Sequence, residues 1–444
     1  MSRPYQPMTL FHRLCVWIGN LTGTIIVIPH PLTVGNTAED IYFGLLKARR
    51  ENRKLAILFP FQLPWLLKLP LTNLEVIAVE SDYMAFRRGS VLSMLGGLIV
   101  TLWFGFFRGL SIVLQKFFGF HFSEWYTIPM TGQDILWKPE GKMTRFSWDI
   151  VQSYDWDTQL GRSLEIRLSR EKLTAAEELR QRLGLPINAW FVCLHVREPG
   201  YWNDEASGAP RNANIYNYIE AIKEITRRGG WVVRMGDSTM KRLPNMDRVI
   251  DYPFTPEKCA LMDVYLIHEC RLYIGMHSGI LDVATLFQRP TIMTNLPAWL
   301  FGFPQKKGDI ALFKHVFSKK RRRFLSVKEW LFEPWIATAP NPSQEEYVYH
   351  ENNAEELKQV VCEYFDRDGE WKESLLQKQF NELRVRQGKK VLGAPILESD
   401  FFSDIHLRYR FASRLESCDG VVGDDFLRRN WEVNSRNDVS IASL

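Results

Sequence analysis

The sequence predicts an α/β protein built on parallel sheets, and three observations carry that reading. From Trp190 onward, short runs rich in Val, Ile and aromatics alternate with segments of helical spacing, the pattern of βαβ units. Between Leu194 and Asn295 each polar cluster follows one of those runs: LHVREPGYWND, RMGD, DYPFT and YIGMHSGILDVATLFQRPTIMTN. In a parallel sheet such clusters fall at the carboxyl ends of strands, where open α/β sheets bind ligands. Finally, 444 residues suffice for two or three domains with sizeable cores.

In chain order, Thr24 to Pro29 reads as a first strand. Thr37 to Arg50 then has helical spacing, with Thr37 as N-cap and Asp40 at the third helical position. Lys54 to Phe59 and Glu75 to Val79 read as further strands, and Arg170 to Leu183 as an amphipathic helix. In the second half the strands are Trp190 to Val196, Trp231 to Met235, Arg248 to Ile250, Arg271 to Gly275 and Pro290 to Thr294. The intervening helices are Ile215 to Arg228, Pro256 to Cys270 and Ser278 to Gln288. From about Glu351 the chain reads as helical and charged. The basic run Lys319 to Arg323 is either a solvated loop or a contact for anionic lipid.

Composition excludes some classes. A net charge of +5 with 46% apolar residues is that of an ordinary globular protein, not of a dedicated nucleic-acid binder. The six cysteines form no C-x-x-C pair, which points to a reducing compartment without structural zinc. The N-terminus does not read as a convincing secretory signal, since no apolar core with a small-residue cleavage site follows Phe11 to Cys15 before Pro29. The unusual segment is Val91 to Phe107, VLSMLGGLIVTLWFGFF, which continues in apolar character toward residue 120, with Arg87 and Arg88 before it and Arg108 after it. It is slightly short for a membrane span. Buried core helices, or a hairpin or helix lying in a membrane interface, fit better.

The candidate site residues follow from the clusters. On an extended strand Phe191, Cys193, His195 and Arg197 share a face. Arg197 emerges at the strand end, where its fork of donors suits phosphate oxygens; the alternative is a surface pair with Glu198. His195 is either catalytic or a satisfied core histidine. The loop Gly200-Tyr201-Trp202-Asn203-Asp204 follows. His277, Ser278 and Gly279 stand at a helix start, where unsatisfied N–H groups and the helix dipole attract anions. Asp282 could accept a ribose hydroxyl there, or serve with Ser278 as a cap. Arg234 could add a phosphate contact or pair with Asp237, and Tyr252 could stack on a base or pack in the core. G-x-x-x-x-G-K-[ST], G-x-G-x-x-G, G-x-S-x-G and H-E-x-x-H are all absent, and no acidic D-x-D stands among the strand-end clusters between Leu194 and Asn295. No metal or cofactor is therefore expected: Arg and a helix N-terminus would neutralise a diphosphate.

The segments LHVREPGYW, RNANIYNYIEAI, GGWVVRMGDSTM, DYPFT, DVYLIHECRLYIGMHSG and DVATLFQRPTIMTN resemble a family of bacterial glycosyltransferases found with polysaccharide biosynthesis genes. The resemblance is strong from Leu194 to Asn295. It implies two Rossmann-like domains facing a cleft, the GT-B architecture. Residues 1–185 would be the acceptor side with an apolar insertion near 91–120, residues 186–345 the nucleotide-sugar side, and 346–444 a helical region packing back on both. The H-x-R segment is also similar to that of O-fucosyltransferases, whose Arg binds the donor diphosphate; that role falls on Arg197, while Glu198 stands where a second Arg often follows. VGNTAEDIYFGLL resembles the family's glycine-containing loop, with Asn36 where a His often stands. The implied activity is inverting transfer of a hexosyl or deoxyhexosyl group from a nucleotide-sugar donor to a glycan or lipid-linked acceptor, with Glu39 or Asp40 as base unless both are first-turn capping acids. A nucleotide-sugar 2-epimerase and a non-catalytic nucleotide-sugar-binding scaffold are the alternatives. The expected location is the cytoplasm, with peripheral contact on the inner face of the membrane.

Overall fold

The computed structural model of the chain describes residues 10–29, 33–60, 72–119, 136–137, 143–144, 164–201, 209–299, 303–304, 306–332, 346–367, 372–393 and 419–432. Its early elements are α1 (Leu10–Thr22), β1 (Thr24–Val27), α2 (Val34–Arg50), β2 (Lys54–Ile57), α3 (Val91–Phe118), β3 (Leu136–Trp137), β4 (Met143–Thr144) and α4 (Arg170–Arg182). The middle runs β5 (Phe191–Leu194), α5 (Ile219–Arg227), β6 (Trp231–Arg234), β7 (Val249–Asp251), α6 (Ala260–Glu269), β8 (Leu272–Gly275), α7 (Gly279–Leu286) and β9 (Thr291–Leu296). The remainder is β10 (Ile310–Phe313), β11 (His315–Ser318), β12 (Arg323–Phe324), α8 (Val327–Trp330), β13 (Tyr347–His350), α9 (Ala354–Phe365), α10 (Leu375–Gly393), β14 (Val421–Val422) and α11 (Asp424–Asn430). Two compact units result: Met1–Arg180 with Cys259–Glu269 and Ser278–Arg289, and Gln181–Lys258 with Cys270–His277 and Pro290–Leu444.

In the first unit β1 and β2 pair in parallel, Thr24 opposite Lys54 through Val27 opposite Ile57. Helix α2 is buried along most of its length. Its Ile41, Tyr42, Leu45 and Leu46 have no exposure, and burying each such side chain contributes roughly 1.5–3 kcal/mol. The helix starts four residues earlier than its expected cap predicts. Thr33, in extended backbone, occupies the N-cap position, while Thr37 lies a turn inside and donates its hydroxyl to the Thr33 carbonyl at 2.9 Å. Glu39 and Asp40 therefore fall beyond the first turn, which contains no acid, and are not capping residues. Glu75 to Val79 also departs from expectation: Val76–Ala78 is a 3-10 turn, and extended pairing is limited to a bridge between Glu80 and Arg167.

The second unit carries a seven-stranded sheet of order β14-β10-β9-β8-β5-β6-β7. Every pairing in it is parallel. All of β5, β8 and β9 is buried, as expected of parallel strands covered on both faces, and this explains why their sequences run continuously apolar rather than alternating. The chain lays down β5, β6 and β7 in one direction, then returns to the other side of β5 with β8, β9 and β10. The order reverses between β5 and β8, the switch point at which doubly wound sheets bind ligands. Helix α5 begins as a 3-10 turn at Ile215–Tyr218 and is stopped by Gly229, whose φ of 87 suits glycine. Helices α9 to α11 belong to this unit. The basic run 319–323 makes up the turn between antiparallel β11 and β12 and the first residue of β12, and Arg321 and Arg323 pair there with Glu329 at 3.0 and 2.6 Å.

Candidate functional site

The switch point is built by the residues that leave β5. His195 donates its backbone N–H to the Ile274 carbonyl at 2.8 Å, extending the β5–β8 pairing one step beyond the strand. Arg197 follows two residues later and is 7% exposed. Its guanidinium donates to the side-chain oxygen of Asn212, and its carbonyl accepts from the Ala213 N–H at 3.0 Å. Lys314, one residue past β10 and 3% exposed, donates through Nζ to the main-chain carbonyl of Asn212 at 2.6 Å. One asparagine thus holds two buried cations, through its side chain and its backbone. Burial pulls the Lys314 ammonium down to about 8, opposed by the carboxylate of Glu351. Glu351 itself accepts from the Asn214 N–H at 2.7 Å and the Asn217 amide at 3.0 Å, which fixes the turn carrying Asn212. Two gathered cations are suited to an anion.

His195 is 8% exposed. Burial, with the positive charges of Arg234, Arg197 and Lys258 against the opposing pull of Asp237, holds it down at about 4. It is neutral at pH 7, and a base that weak is poorly matched to proton abstraction there. His277 is half-buried just past β8, the other strand of the switch point.

Arg234 is wholly buried. Its partners are Glu198 at 3.4 Å and Asp251 at 3.1 Å, not the Asp237 that the sequence offered. Glu198 also accepts the Lys241 N–H at 2.8 Å, and Asp251 the Leu243 N–H at 2.9 Å. Two carboxylates that are themselves hydrogen-bonded make Arg234 a clamp for the loop after β6. The surface pair of Arg197 with Glu198 gives way to this arrangement, because both side chains are buried and Glu198 turns to Arg234. Asp237 closes a local turn, accepting the Thr239 N–H at 2.8 Å. Tyr252 has no exposed surface, and the Lys258 ammonium lies 4.9 Å from its ring centre. It is a core residue without a face for a base to stack on.

Ser278, Gly279, Asp282, Glu39 and Asp40 all belong to the first unit. Ser278 takes the N-cap position of α7, but its hydroxyl makes no capping bond. Its carbonyl accepts from the Leu281 N–H at 3.0 Å. The first turns of α2 and α7 meet: a Cβ on Gly35 would stand 2.5 Å from the Gly279 Cα and 2.6 Å from Oδ2 of Asp282. The Asp282 carboxylate therefore lies against the positive end of α2, where the dipole favours it. Glu39 and Asp40 are buried at 6% and 2% exposure. Trp202, Asn203 and Asp204 lie outside the described residues.

The residues that sequence reading missed are Asn212, Lys314 and Glu351. A lysine inside the apolar run IALFKHVF and the repeated asparagines of RNAN were the available signals. Behind them lies a buried polar network. The Tyr218 hydroxyl meets the Thr294 hydroxyl at 2.6 Å and accepts from the Asn295 amide at 2.9 Å. Asn295 and Asn352 exchange backbone N–H to side-chain bonds at 2.8 and 2.7 Å. Fully paired networks of this kind fix the ends of strands. Among the described residues no group of three or more His, Cys, Asp or Glu is placed to hold a metal ion.

No protein-family model and no curated protein matches the chain. Among solved structures it is similar to a glycosyl transferase family 9 protein from Veillonella parvula DSM 2008, at 13% identity over 60% of this chain and 79% of that one, with a TM-score of 0.32. It is also similar to the ADP-heptose lps heptosyltransferase II of E. coli, at 14% identity over 62% and 85% of the two chains, with a TM-score of 0.34.

Proposed function

We propose that the chain is a glycosyltransferase of bacterial surface polysaccharide synthesis, which moves a sugar from a nucleotide-activated donor to a glycan or lipid-linked acceptor without a metal ion. The observation that carries this reading is the Arg197–Asn212–Lys314 arrangement, in the unit whose parallel sheet reverses its strand order beside Arg197. In the proposed reaction the acceptor oxygen forms a bond to the anomeric carbon as the bond to the diphosphate oxygen breaks, with inversion. The nucleoside diphosphate leaves with the electron pair, and Arg197 and Lys314 stabilise the charge that develops on it. The acceptor proton passes to a carboxylate base, a role for which the sequence offers Glu39 or Asp40. The neutral His195 orients rather than exchanges protons. Its depressed basicity supports that division of labour.

Purified protein incubated with a panel of nucleotide sugars, with and without glycan acceptors, tests the proposal. Transfer requires acceptor. Epimerisation of the donor without acceptor would identify a nucleotide-sugar 2-epimerase instead, and binding with neither reaction would identify a scaffold.

A further inference from the structure

Helix α3 is built inside out. Ser90 caps its start, accepting the Ser93 N–H at 3.3 Å, and Gly119 in left-handed backbone with φ of 63 closes its end. Its 28 residues make a rod of about 42 Å. The side that packs on the first unit is made of Gly96, Gly97, Val100 and Thr101; a Cβ on Gly96 would come within 2.4 Å of the Leu58 side chain. The opposite side carries Val91, Leu95, Leu98, Leu102 and Phe106, at the three- and four-residue intervals that place them on one face, with Phe117 eleven residues, about three turns, further on. Every one of these large apolar residues is exposed, Leu102 by 61% and Phe106 by 65%. A helix that serves only the core presents the reverse pattern.

Charge identifies what covers this face. From Tyr83 to Ser123 the sequence contains Arg87, Arg88, Arg108 and Lys116 and no Asp or Glu. Arg87 is largely exposed, with Glu80 at 3.4 Å, and Lys116 is exposed in the last turn. Among the described residues no helix is long and apolar enough to cross a membrane. We infer that α3 lies flat in an anionic lipid surface, with the face containing Leu95, Leu102 and Phe106 sunk among the acyl chains and Arg87 and Lys116 among the headgroups. Apolar burial and attraction to anionic lipid then add. Docking of this kind would hold the proposed transferase where a lipid-linked acceptor resides, but it does not depend on that chemistry.

Sedimentation of the full chain with vesicles of phosphatidylcholine alone, or containing phosphatidylglycerol, tests the inference. The wild type is expected to sediment with the anionic vesicles, less with the neutral ones, and less at high salt. Replacing Leu95, Leu102 and Phe106 together by Gln should weaken vesicle binding roughly tenfold or more, with the melting temperature unchanged. Wild-type protein that ignores both vesicles, or binds both equally, overturns the inference. So does a dimer by light scattering that the triple variant converts to monomer, which assigns the face to a second copy. A triple variant that melts early overturns it too, because the face is then covered by the chain itself.

Discussion

Lys314 donates its ammonium to the main-chain carbonyl of Asn212 at 2.6 Å, and the side chain of that asparagine accepts from Arg197. Because burial holds Lys314 down at about 8, its charge fades within an accessible pH range. The lysine is protonated below that value and neutral above it. Affinity for a nucleoside diphosphate should therefore fall as pH rises through about 8. Lys314→Met should weaken binding by about tenfold at pH 7, the loss expected for one charge-assisted hydrogen bond, and should remove the pH dependence above 8. Calorimetric titration with UDP, GDP, CMP and ADP across pH checks this. An unchanged pH profile in the variant would take Lys314 out of the site.

Arg197→Ala should abolish transfer and weaken diphosphate binding by roughly 1.5–3 kcal/mol. Arg197→Lys should restore only part of it, since a point charge cannot reproduce the planar fork. Near-normal transfer by the Ala variant is the result that would dismiss the residue.

His195 gives a separate test through stability. Its folded value near 4 lies below the unfolded value of about 6.5. The unfolded chain therefore takes up a proton first as pH falls, and stability drops between about pH 6.5 and 4 by up to roughly 3 kcal/mol. His195→Gln should flatten the denaturation profile in that window. A wild-type profile already flat there would show the imidazole to be accessible to water.

Transfer should survive EDTA. No acidic D-x-D stands among the strand-end clusters between Leu194 and Asn295, and the proposed charge neutralisation comes from Arg197 and Lys314. Loss of activity on chelation, restored by magnesium or manganese, would overturn the metal-independent mechanism.

Much of the second unit was legible in the sequence because parallel strands buried on both faces leave short continuous apolar runs, such as FVCL and LYIG. The glycines and polar clusters after them mark the strand ends. Helix starts were less legible. Thr37 looks like an N-cap by residue type, but Thr33 holds the position, and capping preference alone does not separate two threonines a turn apart. Partners across the sheet were not legible at all. Arg234 takes Glu198 and Asp251, respectively 36 and 17 positions away, and Asn212 takes Lys314 at a separation of 102. No local spacing encodes such pairings.

The contact between Gly35 and Gly279 yields the last prediction. Neither glycine adopts a positive φ, so backbone freedom does not explain them; the space available does. A Cβ on Gly35 would stand 2.5 Å from the backbone of Gly279 and 2.6 Å from the Asp282 carboxylate. The carboxylate can swing aside, but the backbone of a packed helix cannot without moving the first turn of α7. Gly35→Ala should therefore destabilise the protein by about 1–3 kcal/mol, the usual cost of overpacking, despite the better helix propensity of alanine. Asp282→Ala in the same background, which removes the clashing oxygen, should recover little if the backbone clash dominates. Thermal melts of the single and double variants separate the two causes. A Gly35→Ala protein as stable as the wild type would mean that the two first turns do not pack as closely as this geometry requires.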